Sequence, residues 1–252
     1  MNNFRFGGFQ ILPPVVKNII IINLIMLLAT EALLFRFNID LRKILGLYNF
    51  SSSNFYPWQF VTNVFMHADF MHLFSNMFTL WMFGSVLENV WGGKRFLIFY
   101  LVTALGGGIL HLTVSSYEIY QITEALNSFI LDPNIETFRA LPTLITAEPE
   151  SIAEVDRLIA EGSINNVLIH DITMAYNNLI DVKNQIPTVG ASGAVFGVLL
   201  AFGMLFPNTE LYLFFAFPIK AKYFVAMYGL LEIYLGISNN PTDNIAHFAH
   251  LG

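Results

Sequence analysis

The chain contains no cysteine. That removes disulfides, thiolate nucleophiles and cysteine-based zinc sites together. Charge is scarce too: Asp, Glu, Lys and Arg make up 12% of the 252 residues. A soluble domain carries about twice that share. The net charge of −6 lacks the basic surplus that a nucleic-acid partner calls for. What is present is apolar mass, 55% hydrophobic residues with 25 Phe among them. Together these describe an integral membrane protein with length for about six spans and one sizeable loop.

The first apolar run is Asn18 to Phe35. It is too long for a signal-peptide core and lacks a small-residue cleavage site, so it is expected to be a retained transmembrane helix. Residues 36–66 form a loop with an aromatic cluster, Phe55, Tyr56, Trp58 and Phe60. Such a cluster favours the membrane–water interface. The second span is expected over Phe70 to Val90 and the third over Phe96 to Ser115. Gly106-Gly107-Gly108 inside the third calls for a closely packed neighbour. The fourth starts near Ser192 and ends at Phe206-Pro207-Asn208; the fifth covers Tyr223 to Ile237. A sixth begins after Asp243 and stops at Gly252, so helix 6 is expected to be truncated.

Residues 116–187 differ from the rest. They hold eleven of the 18 acidic residues and only three basic ones, Arg139, Arg157 and Lys183. Ser151-Ile152-Ala153-Glu154 is a capping-box pattern, and Ile152, Val155, Leu158 and Ile159 follow helical spacing. This reads as a water-exposed, partly helical, acidic insert between helices 3 and 4. Lys and Arg in the short loops favour an inside N-terminus. Arg5, Lys17, Lys94, Arg95, Lys220 and Lys222 fall on its side, against Arg36, Arg42 and Lys43.

Gly190-Ala191-Ser192-Gly193 sets a serine between glycines at the mouth of an apolar helix. The glycines leave a backbone N–H able to point at a developing oxyanion. Gly193 and Gly197 are four apart, so the stretch reads equally as a close-packing helix start. Ionisable residues inside spans are functional candidates by default. His72 and Asn76 share one face of the second span. They suit an oxyanion, or a bond to a neighbouring helix. His67 stands at the entrance of that span. His247 and His250 are three apart near the C-terminus, and a histidine near Ser192 would serve as general base. No His-Glu-x-x-His spacing appears, so no metal is expected. Asp243 is read as a helix cap before it is read as a partner of His250.

Three motifs in this order resemble the rhomboid family of intramembrane serine proteases. Trp58-Gln59, Thr62, Met66-His67, His72, Asn76, Gly84 and Glu88 are similar to the family's second-helix signature. Gly190-Ala191-Ser192-Gly193 is similar to its GxSG nucleophile motif, and Ala249-His250-Leu251-Gly252 to its last-helix Ala-His signature. The resemblance covers nearly all of the chain outside 116–187. It implies an all-α membrane protein, a six-transmembrane-helix bundle forming a single domain over 1–252 with 116–187 as its insert. It implies a Ser–His dyad without a catalytic aspartate. Ser192 would be the nucleophile and His250 the base, with His247 as rival. His72, Asn76 and the Ser192 backbone N–H would form the oxyanion hole. His67, Gly190, Gly193 and His247 would be structural residues near the site, and Glu88 a structural helix-end residue. Phe196, one turn after Ser192, would pack its ring on the base.

The implied activity is endopeptidase cleavage of transmembrane protein substrates in or beside the lipid bilayer, with no cofactor and no nucleic acid. The implied place is a bacterial inner membrane, multi-pass, with a cytoplasmic N-terminus. The alternative is a catalytically inactive relative that binds membrane clients. A transporter would show paired repeat segments, which the sequence lacks. Two departures from the family's pattern bear on structure. Gln59 stands where arginine is common, at the anchor of its loop. The insert is longer than usual, and by the family's topology it would face outward above the site.

Overall fold

The computed structural model describes residues 9–142, 149–162, 165–213, 217–238 and 247–251. Most of them are helical. Helices α1 (Pro14–Phe37), α2 (Phe70–Trp91) and α3 (Gly93–Leu131) are long and apolar enough to cross a membrane. Then come α4 (Pro149–Ala160), α5 (Asn166–Gln185), α6 (Ser192–Leu205), α7 (Ala221–Ser238) and α8 (His247–Leu251). Helix α6 is apolar but shorter than a span. The chain divides into two compact units.

The first unit is Met1–Tyr48, Asn54–Leu112 and Pro187–Gly252. Its core includes Val16, Ile19, Leu80, Leu87, Phe96, Tyr100 and Val198. Helix α1 opens with proline, whose fixed φ suits a first turn, and Pro13 before it supplies no side-chain cap. The cap comes from another helix. Glu88 of α2, 5% exposed, accepts from the backbone N–H groups of Val15 (2.9 Å) and Val16 (2.8 Å). A carboxylate there satisfies free donors and complements the helix dipole. Glu88→Ala would leave both donors without their acceptor. The expected cost is about 2 kcal/mol of stability. A thermal unfolding series in detergent checks it, with Glu88→Gln recovering part of the loss.

The loop between α1 and α2 is tied down by Gln59, 1% exposed. Its side chain accepts from Tyr48 N–H (3.4 Å) and Tyr56 N–H (3.0 Å), and donates to the carbonyls of Asn54 (2.9 Å) and Ile44 (3.4 Å). A neutral amide that both gives and accepts therefore anchors the loop where arginine, a donor only, is common. Tyr56 and Trp58 stack face to face and stay exposed.

The second unit is Asn49–Ser53 with Thr113–Ile186. It has its own core of Ile122, Leu126, Phe129, Leu141, Ile159, Ile172 and Tyr176. The Tyr176 hydroxyl donates to the Pro142 carbonyl. Asn134 caps a short helix, Ile135–Arg139, with Thr137 returning the bond.

Several expectations need correction. Helix α3 runs unbroken for 39 residues, past the expected end at Ser115. Helix α4 is described from Pro149, so Ser151 lies inside it. The segment after α6 is not only a turn. Strands β1 (Glu210–Leu213) and β2 (Phe217–Lys220) pair antiparallel with Leu211 opposite Ile219, a short hairpin in a mostly helical chain. Arg5, Asp243 and Gly252 lie outside the described residues.

Candidate active site

The segment leading into α6 is held from both sides. Leu47 and Thr188 exchange backbone hydrogen bonds of 2.9 and 2.8 Å, and Gly190 N–H donates to the Asn63 carbonyl (3.0 Å). The Thr188 hydroxyl lies 2.8 Å from His111 Nε2. Helix α6 then begins at Ser192. Its first N–H groups have no partner within the helix, and that of Ser192 stands at the positive end of the helix dipole.

Gly190 has φ +128°, a conformation that side chains rarely adopt. Space forbids a side chain as well. A Cβ there would stand 2.8 Å from His72 Cε1, 2.9 Å from His72 Nε2 and 3.7 Å from Ser192 Oγ. His72 and Ser192 thus flank one point. Gly193 serves a different contact. A Cβ on it would stand 2.7 Å from the Ala249 carbonyl oxygen, and one on Gly107 would strike the same oxygen. Two glycines therefore let α8 close onto α6 and α3.

That approach brings α8's histidines to the site. The His250 ring stacks on Phe196 with centroids 4.2 Å apart and planes 7° from parallel. Phe196 lies one turn after Ser192 on α6. The other face of Phe196 is not free: Tyr228 stacks with it at 4.9 Å. His247 is buried and has no such stack on Phe196 among the described residues. Both histidines direct Nδ1 at one oxygen, Glu232 Oε2, at 2.7 Å for His247 and 2.9 Å for His250. No hydrogen bond joins Ser192 to His250 among the described residues. Such bonds are often long before substrate arrives.

On α2, the Asp69 side chain caps the helix by accepting from His72 N–H (2.8 Å). Ala68 N–H donates to His72 Nδ1 (3.4 Å), so the ring proton belongs on Nε2. Asn76, 6% exposed, has an amide Nδ2 with no partner among the described residues. One turn on, a π-helical turn over Leu80–Gly84 interrupts α2, a distortion common in functional helices. His67 sits behind His72, rings edge to face at 5.0 Å. Burial, then the neighbouring His72, hold His67 down to a pKa of about 3, against a smaller pull from Asp69. It is a neutral packing group. A small cavity lined by Asn63, Gly107, Thr188, Gly190, Ser192 and Ala249 is large enough for one water molecule.

Two residues escaped the sequence reading. Glu232 is an acidic residue in the middle of an apolar helix, and His111 is an ionisable residue in the third span. The rule that flagged His72 covers both. Asn63 carried no such signal, because its contribution is a backbone carbonyl.

The family model described as Rhomboid domain matches residues 54–122 and 161–252. The RHOMBOID-like protein 12, mitochondrial, of Arabidopsis thaliana is 26% identical over 212 residues, covering 83% of this chain and 46% of that protein. An uncharacterized mitochondrial rhomboid protein of Schizosaccharomyces pombe is 26% identical over 205 residues, covering 77% and 47%. The rhomboid protease GluP of Bacillus subtilis is 33% identical over 60 residues, covering 24% and 12%. The chain spans about half the length of the first two. Both are mitochondrial by name, which conflicts with the bacterial inner membrane expected from the sequence. No solved structure matches. A family model that covers most of the chain, with only 123–160 unmatched between its two parts, means that the chain belongs to the rhomboid family.

Proposed function

We propose that this chain is an intramembrane serine endopeptidase that cleaves transmembrane protein substrates in or next to their spans. Members of the family are generally intramembrane serine proteases. The observation that carries the reading is the stack of His250 on Phe196, one turn from Ser192 on the same helix. Ser192 Oγ attacks the scissile carbonyl, and His250 takes its proton and later gives it to the leaving amine. The Ser192 N–H, His72 and Asn76 stabilise the oxyanion. The cavity beside Ser192 gives a water molecule room from which to hydrolyse the acyl-enzyme. The domain is a six-span bundle with its N-terminus on the inner side. Residues 116–187 form a water-exposed insert, a reading supported by the separate core of the second unit.

The test is labelling of the full gene product in liposomes with a fluorophosphonate probe. The parent is expected to label, and Ser192→Ala is expected not to. A parent that stays unlabelled, and cleaves no transmembrane substrate, would leave the inactive client-binding reading in its place.

A further inference from the structure

The family's resemblance implies a two-residue dyad, but the base here has a third partner. Glu232 lies in α7 and is 4% exposed. An ionised carboxylate can only accept hydrogen bonds. Two imidazoles aimed at one of its oxygens must therefore both donate. At 2.7 and 2.9 Å these are the lengths of charge-assisted bonds. Each ring then carries its proton on Nδ1 and keeps an unprotonated Nε2 on its far edge. For His250 that is the tautomer a general base needs. A buried carboxylate is costly unless it is hydrogen-bonded, and His247 fills a second acceptor site on the same oxygen.

We propose that Glu232 is a positioning residue for the general base. Its carboxylate holds His250 with the proton on Nδ1 and Nε2 open to the serine, and His247 is the second arm that keeps the carboxylate in place. The inference rests on the protease reading above. In the acylation step the Ser192 Oγ–H proton passes to His250 Nε2 as Oγ bonds to the carbonyl carbon. The proton then goes to the leaving nitrogen as the C–N bond breaks. The Glu232 carboxylate faces the imidazolium while it exists. Without it, the ring is free to flip or to take the other tautomer. The three groups lie within 4.8 Å of one another, close enough to clasp a metal ion, so the test includes chelation.

The experiment uses the full gene product in liposomes and a fluorescent transmembrane substrate. Glu232→Gln is expected to lower kcat about tenfold or more, with KM within about twofold and an unchanged unfolding temperature. Glu232→Asp is expected to restore part of kcat. Nitrogen NMR of the histidine-labelled parent is expected to show His250 protonated on Nδ1. Parent-like kcat in Glu232→Gln would sink the proposal. So would a loss of kcat that follows a loss of stability and is not restored by aspartate. If Glu232→Gln does not fold, the NMR of the parent decides alone: a proton on Nε2 of His250 overturns it. Cleavage lost on chelation and restored by zinc would put a metal in the carboxylate's role, and also overturns it. Ser192→Ala and His250→Ala in the same assay separate the two levels. If both cleave like the parent, the protease reading fails. If both are inactive and Glu232→Gln is not, only the role of Glu232 falls.

Discussion

Ser192→Ala and His250→Ala are each expected to lower cleavage of a transmembrane substrate by at least about a thousandfold, and the double variant is expected to be no worse than either. The reason is that nucleophile and base act as one unit. A serine hydroxyl at neutral pH is a poor nucleophile until a neighbour accepts its proton. A base with no serine to serve has nothing to activate except water. His247→Ala should behave differently. Its ring lacks the Phe196 stack that holds His250 beside α6. Its loss removes one of the two donors to Glu232, so a reduction of about tenfold or less is expected. Initial rates in liposomes, read beside unfolding temperatures, separate these cases. An inactive His247→Ala beside an active His250→Ala would move the base to His247.

The parts of the candidate site that the sequence marks are those whose signal is local. Gly190-Ala191-Ser192-Gly193 is contiguous, His72 and Asn76 are one helical turn apart, and Ala249-His250 adjoins its own glycine signature. Polar groups in apolar runs stand out because burial in lipid is costly, and that cost is written in the sequence. What could not be read is who meets whom. Glu232 carried the same signal as His72, but its meaning came only when α7 and α8 brought two imidazoles to one oxygen. Gln59 stands where arginine is common, and only the fold shows the four backbone groups that its amide bonds. Gly190 was read as leaving the serine unshielded. Its positive φ and the His72 ring beside it give two further reasons for glycine.

The errors in the fold have a similar cause. Hydropathy falls after Ser115, but the helix does not end there. Helix formation answers to backbone propensity, and Glu, Gln, Ile, Leu and Ala beyond that point continue a helix as readily in water as in lipid. The hairpin at β1 and β2 was hidden for the opposite reason. Its strands are four residues each, too short for a period of two to stand out beside the apolar helices.

Asn76→Ala is expected to lower kcat by about a hundredfold with KM little changed, and His72→Ala to do the same. The argument for His72 is its proton. Ala68 donates to Nδ1, which leaves the hydrogen on Nε2, the nitrogen nearest the point that Gly190 keeps clear beside Ser192. The argument for Asn76 is a buried amide nitrogen with no partner among the described residues. A buried amide donor with nothing to bond costs about 1–3 kcal/mol in the resting protein. If that donor meets the oxyanion, the cost is recovered only as charge develops on the carbonyl oxygen. An interaction present in the transition state and absent from the ground state raises kcat without tightening substrate binding. The same argument fixes the sign of the stability change. Removing an unsatisfied donor should leave the unfolding temperature of Asn76→Ala equal to the parent's or above it, while kcat falls. A lower unfolding temperature with an equal loss of kcat and affinity would instead mean that Asn76 bonds a neighbouring helix. The oxyanion would then rest on His72 and the Ser192 N–H alone.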